Sequence, residues 1–215
     1  MEDIREDPII LYGDVLVFCE TWLDPTSDLL TALCYNNNID SNSFCCQHIN
    51  EDQFLQIHGY KLHLNSSSRG KGIAVYYREN KFRTIQNISK AQLQVTIIKS
   101  TDLLVIGLYR SNGDSELATV LKDIIPLSGS CLVIGDFNIC SVRSPAHEVF
   151  TTLKSLGFMQ QVCGATHFEG GHLDQSWVRT RTACELQLYS PYYTCKDHDG
   201  LLFTLYDPTV ENGKH

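Results

Sequence analysis

The stretch that most constrains this chain is Leu132-Val133-Ile134-Gly135-Asp136-Phe137-Asn138-Ile139-Cys140. A short apolar run ends in a glycine, where the backbone can turn tightly, and then sets a carboxylate and a carboxamide two positions apart. Residues two apart on a strand share a face, so Asp136 and Asn138 are expected together in a cleft at the strand's end. That pairing suits a hard cation or a phosphate. Asp and Asn after a strand are also ordinary turn formers, so the reading depends on what else the fold brings to the same place.

Around this stretch the pattern is of many short strands with few helices. A buried strand over Asp14 to Glu20 ends in an acid and runs into Thr21-Trp22-Leu23-Asp24-Pro25; residues 24–52 are polar and read as an irregular loop with a helical turn or two around Ser27 to Cys34. The Ser- and Gly-rich segment Asn65 to Lys71 reads as a turn ahead of an apolar strand, Gly72 to Tyr77. Strands follow near Leu93 to Lys99 and Leu103 to Tyr109. Between Ser115 and Ile125, Leu117, Val120, Leu121, Ile124 and Ile125 recur at the helical period. A second helix is expected over His147 to Leu156, stopped by Gly157. The tail alternates short strands at Leu173 to Arg179, Ala183 to Leu188 and Leu201 to Leu205. The expected architecture is packed sheets with helices outside, not a doubly wound parallel sheet; no G-x-G-x-x-G follows a strand, which disfavours a dinucleotide fold.

With 215 residues, 43% hydrophobic and 20% charged, the chain fits one globular domain, its core at about residues 14–207. No apolar run approaches the roughly 20 residues needed to cross a bilayer, and the start, Met1-Glu2-Asp3-Ile4-Arg5-Glu6-Asp7, has no basic-then-apolar leader, so no membrane partner is expected. Nine cysteines, several in or beside apolar strands and none in a C-x-x-C, suit a reduced, intracellular protein, nuclear or cytoplasmic, without a zinc site. The formal charge of −8 argues against a broad electrostatic footprint on nucleic acid. A local one remains open, since Lys61, Arg69, Lys71, Arg78, Lys81 and Arg83 cluster in the first half.

Five places hold candidate chemistry: Glu20, Tyr109 with Arg110, Asp136 with Asn138, Asp174, and Asp197 with His198. Each alone has a bland explanation. Glu20 can be a solvated strand-end acid, Tyr109 a half-buried sheet aromatic, Asp174 a turn aspartate after Gly170-Gly171-His172-Leu173, and Lys196-Asp197-His198-Asp199-Gly200 a polar hairpin connection. Together they are the parts for metal-assisted phosphodiester hydrolysis. Glu20 and Asp197 offer oxygen ligands to a divalent ion. His198 is the side chain tuned to take a proton from water near neutral pH. Asp174 can fix the imidazole's tautomer, leaving Asn138 and Tyr109 to hold the water and the phosphate.

These motifs resemble the endonuclease/exonuclease/phosphatase superfamily, and within it the endonuclease domains of non-LTR retrotransposons and their apurinic/apyrimidinic endonuclease relatives. The matching stretches are Cys19-Glu20-Thr21-Trp22-Leu23, Gly70 to Arg78, Leu108-Tyr109-Arg110, Ile134-Gly135-Asp136-Phe137-Asn138, Ala165-Thr166-His167 leading to Leu173-Asp174, and Asp197-His198, in the family's order over residues 14–205. The resemblance implies a four-layer, DNase I-like α/β sandwich of two packed mixed sheets flanked by helices. It also implies magnesium, with manganese as a substitute, held by Glu20 and Asp197. In the same way Asp136 and Asn138 would orient water and phosphate, Asp174 would partner His198, and Tyr109 would contact the scissile phosphate. The implied activity is DNA nicking by an endonuclease of retrotransposon origin.

Two features depart from the pattern. Family members begin with a strand carrying a metal-binding asparagine well before the glutamate; here only residues 1–19 precede Glu20 and Glu2 to Tyr12 hold no asparagine, so that strand is absent or partly replaced by residues 8–12. Lys196 stands where the family has a serine before Asp-His. Other expectations therefore stay open beside DNA nicking: hydrolysis of RNA or of a small phosphoester by the same machinery, or a non-catalytic interaction module that inherited the fold.

Overall fold

A computed structural model of the chain describes residues 12–19, 57–68, 71–113, 116–181, 184–189 and 198–205. Its centre is a six-stranded sheet in the order β4 (Arg83–Lys90), β5 (Leu93–Lys99), β6 (Leu103–Arg110), β7 (Ser130–Asp136), β9 (Asp174–Arg179), β8 (Met159–Gln160). The sheet is mixed: β6 and β7 run parallel, while the other neighbours are antiparallel. The single parallel step needs a crossover, and helix α1 (Leu117–Ile124) supplies it between β6 and β7. A three-stranded antiparallel sheet, β1 (Val15–Cys19), β3 (Lys71–Tyr77), β2 (Lys61–Ser68), packs on one face. The hairpin of β10 (Cys184–Tyr189) and β11 (Gly200–Leu205) completes the strands described.

The period-2 alternation of the strands sorts their side chains into layers. On the outer face of the six-stranded sheet, Ile97, Ile106, Val133 and Trp177 lie in register across four strands and pack under α1 and α2 (Glu148–Ser155). Phe150 of α2 stacks on Trp177, with ring centroids 5.6 Å apart. On the inner face, Ile98, Val105, Leu132 and Val178 form the corresponding row and meet Val15, Val17, Ile73, Val75 and Tyr77 of the small sheet. Gly107 lies close against the small sheet: a Cβ there would stand 3.1 Å from Ile73 and 3.4 Å from Val17. On the far side of the small sheet, Leu16, Phe18, Leu62, Ala74 and Tyr76 cluster with Ile57 and Tyr60. Two face-to-face sheets with helices on an outer face is the architecture expected.

Both expected helices form. α1 buries Leu117, Ala118, Val120 and Leu121, and α2 is capped by His147, whose Nδ1 accepts from Val149 N, and ends ahead of Gly157 at φ 81°. The strands differ in two respects. The segment expected to be a turn from Asn65 to Lys71 is strand up to Ser68, because Leu64, Asn65, Ser66 and Ser68 take ladder bonds from β3, with a bulge between Ser66 and Ser68; a willing partner strand outweighs the weak preference of Ser and Asn for strands. β4, β2's first half and the short β8 add strands that alternation does not announce. β4 and β8 are the edges of the large sheet and stay largely exposed, so little selects for apolar residues there. The loop expected over 24–52, and residues 8–11 as stand-ins for a first strand, lie outside the described residues; within them, β1 pairs with β3. No helix among the described residues is long and apolar enough to cross a membrane.

Candidate active site

Three rows of side chains cross the inner face of the large sheet, and their polarity changes along the strands. The row Ile98, Val105, Leu132, Val178 is apolar; two residues further along each strand come Thr96, Gly107, Ile134, Ser176; two further still come Gln94, Tyr109, Asp136, Asp174. The last row lies at one end of the strands, with Asp136 closing β7 and Asp174 opening β9. Register alone therefore places Tyr109, Asp136 and Asp174 side by side on one face, although 65 positions separate the first from the last.

Gly135 allows β7 to deliver Asp136. Its φ is 145°, and a Cβ there would fall 1.8 Å from Leu108 O, so only glycine fits against β6 at this point. Beyond Asp136 the chain folds back on itself: Asn138 N donates to Asp136 Oδ1 at 2.8 Å, and Asn138 Nδ2 donates to Asp136 Oδ2 at 2.9 Å. Asn138 adopts φ 49°, the left-handed region that asparagine tolerates better than most residues. Asp136 is 1% exposed, and its buried carboxylate is satisfied in part by these bonds. The second Nδ2 hydrogen of Asn138 goes to Arg110 O at 2.7 Å. Two acceptors on one nitrogen fix the orientation of the carboxamide and leave Oδ1 as its acceptor for a ligand.

Asp174 and His198 form the other half. Asp174 Oδ2 lies 2.8 Å from His198 Nδ1, both side chains mostly buried. A carboxylate accepts, so Nδ1 carries the proton and Nε2 presents a lone pair. Thr166, fully buried, organises this pair. Its hydroxyl accepts from Leu173 N at 3.1 Å and Asp174 N at 3.0 Å, its carbonyl accepts from Asp199 N at 2.8 Å, and the next residue, His167, bridges to His198 and sets its ring edge-on to the His198 ring at 4.9 Å. Thr166→Val, which keeps the shape and removes the acceptor, is expected to destabilise the protein by about 1–3 kcal/mol, since two buried N–H donors lose their partner, while Thr166→Ser stays near wild type; urea melts of the two variants check this.

Asp136, Asp174 and His198 each place a ligand atom within 4.8 Å of the others. Two carboxylates and an imidazole are a donor set that a divalent cation can use. Of the site residues expected from sequence, the structure thus brings together Tyr109, Asp136, Asn138, Asp174 and His198. Tyr109 is 3% exposed and packs in the inter-sheet cluster beside Asp136. Glu20 and Asp197, the expected metal ligands, lie outside the described residues. Their chain neighbours are at the site: His198 is one of its members, and Cys19 places its thiol between Leu108 O and Asp136 N, 3.4 Å from each. Sequence reading assigned no task to Cys19, Thr166 or Arg110. The available signal is that Thr166 and Cys19 each lie in a stretch that matches the family; nothing local gives either of them a role.

A search of curated proteins finds no match to this chain. The model of the endonuclease/exonuclease/phosphatase family matches residues 3–193. Among solved structures, an endonuclease/exonuclease/phosphatase family protein from Leptotrichia buccalis is similar at TM-score 0.58 and 14% identity, covering 95% of this chain and 90% of its own. An AP endonuclease from Archaeoglobus fulgidus is similar at TM-score 0.58 and 15% identity, covering 94% of this chain and 93% of its own. The endonuclease domain of TRAS1, a telomere-specific non-LTR retrotransposon, is similar at TM-score 0.53 and 14% identity over 69% of this chain and 79% of its own. At these identities the structures speak for the fold; the family model, spanning most of the chain, speaks for membership. The chain belongs to the endonuclease/exonuclease/phosphatase family, whose members are hydrolases of phosphodiester bonds and related phosphoesters.

Proposed function

We propose that this protein is a metal-dependent phosphodiesterase that nicks DNA, with magnesium as its ion. The observation that carries the reading is the Asp174–His198 pair at 2.8 Å, with ligand atoms of Asp136, Asp174 and His198 all within 4.8 Å of one another and Asn138 bonded to Asp136. An imidazole whose Nδ1 is held by a carboxylate has Nε2 ready to take a proton from water, and the pair stabilises the imidazolium that results. To Asn138 Oδ1 we assign acceptance of the water's other hydrogen, which would orient a lone pair of the water oxygen for attack. Asp136, through its bonds to Asn138, keeps that carboxamide in place. Tyr109, next in the row, is assigned to the scissile phosphate.

By the family's pattern we assign a hard divalent cation to Glu20 and Asp197, with manganese as the usual substitute for magnesium. Bound there, the cation polarises a phosphoryl oxygen and offsets charge on the leaving oxygen. DNA as substrate is supported by two structural neighbours, an AP endonuclease and a retrotransposon endonuclease domain. The deciding comparison is of initial rates, in magnesium, on supercoiled plasmid, an abasic duplex, poly(A) and an inositol phosphate. The proposal expects cleavage of one or both DNA substrates to exceed the other two. Faster turnover of poly(A) or of the inositol phosphate would reassign the substrate while keeping the hydrolytic site, and no turnover of any of them would favour an interaction module built on the fold.

A further inference from the structure

We infer that Arg110 is a positioning residue: its guanidinium locks the Asp136–Asn138 turn so that the Asn138 carboxamide is held for the reacting water. The inference rests on the role proposed above for Asn138. Arg110 is the last residue of β6 and is 8% exposed. Nη1 donates to Phe137 O at 3.2 Å and to Asn138 O at 3.3 Å, and Nη2 donates to Gly113 O. In return, Asn138 Nδ2 donates to Arg110 O. One side chain thus grips the carbonyls on either side of Asn138, and its own backbone grips the Asn138 side chain.

Burying a guanidinium is costly, and filling the same space with methionine is not. What methionine lacks is a planar fork of donors that can reach several carbonyls at fixed angles. Those carbonyls belong to the segment that most needs holding, because Asn138 is the non-glycine residue with positive φ among the described residues. A residue in a sparsely populated backbone region persists where its surroundings over-determine it. Hydrogen bonds do that from both sides: Asp136 accepts from the Asn138 N–H and Nδ2, while Arg110 O accepts from Nδ2 and the guanidinium donates to Phe137 O and Asn138 O. Released from Arg110, the Phe137–Asn138 peptide can rotate toward an ordinary conformation, and Asn138 Oδ1 swings away from its place.

The test uses a cycle of Arg110→Met, Asn138→Ala and the double variant on a duplex DNA oligonucleotide in magnesium. Arg110→Met is expected to lower kcat roughly tenfold to a hundredfold, the scale of a misplacement near 1 Å, with KM unchanged. In the Asn138→Ala background the same change is expected to have no further effect on kcat, since residues acting as one unit do not add. Arg110→Lys, which keeps the charge without the fork, should fall between. Hydrogen exchange at the Asn138 amide gives a reading that needs no substrate: exchange faster than wild type in both Arg110 variants is expected. Full additivity of the two kcat losses, or an unchanged Asn138 exchange rate, overturns the inference. If Asn138→Ala leaves kcat at the wild-type value, or the wild type itself cleaves nothing, the role proposed for Asn138 fails, and the exchange measurement still decides the lock. Should Arg110→Met lack a cooperative melt, Arg110→Lys takes its place in the cycle with the same criteria.

Discussion

His198→Ala lowers kcat for cleavage of a duplex DNA substrate by roughly a hundredfold to ten-thousandfold, the range expected for loss of a positioned general base. The size follows from how firmly the pair is held. Asp174 is dedicated to His198 Nδ1 at 2.8 Å, and Thr166 fixes the backbone on both sides of that bond. Among the described residues, the histidine whose ring touches His198 is His167, and its Nδ1 accepts from Glu169 N, so it is already committed to a turn of its own. The His198 ring belongs to none of the apolar clusters, so folding is expected to be little affected. Single-turnover rates with enzyme in excess measure the effect without interference from product release. A variant within threefold of wild type would remove His198 from the chemistry.

Gly135→Ala acts on folding instead. The added Cβ would meet Leu108 O at 1.8 Å, against a backbone carbonyl held in the ladder between β6 and β7, and φ 145° is strained for any side chain. Neither atom can retreat without opening the sheet at its one parallel junction. Overpacking and backbone strain, at about 1–3 kcal/mol each, set a cost of several kcal/mol, a large share of a domain's stability. For a chain of this size that corresponds to a fall in Tm of about 10 °C or more. Calorimetric melts of the two proteins decide it. A shift within the error of the instrument would show that β6 and β7 do not meet as described, and with them the alignment of Tyr109 with Asp136 would go.

That junction also explains why some of the site is legible in the sequence and some is not. Asp136 and Asn138 are readable because they fall within three residues after a strand and a glycine, although it is the turn beyond β7, and not strand alternation, that folds Asn138 back onto Asp136. Asp174 and His198 are readable as a pair only through the family's order of motifs, since nothing local links residues 24 positions apart. Their contact is made by register across β7 and β9 and by the bridge from His167 to His198. Arg110 looks like any charged strand end, although it is buried and bonded to carbonyls well along the chain. Similarly, Cys19 looks like one more core thiol until the two sheets are stacked and it reaches Asp136 N. The edge strands are hidden for the opposite reason. β4 has one face against the protein and little burial to record in its composition, so Arg83 to Lys90 reads as polar sequence while pairing along its length with β5.

The layered core and the row of polar side chains at its end lead to a single expectation for the purified wild-type protein: with magnesium it converts supercoiled plasmid to open circle, and in excess chelator it does not. Nicking that persists in chelator, or supercoiled plasmid left intact in magnesium, would contradict a cation-dependent hydrolytic centre built from Asp136, Asn138, Asp174 and His198.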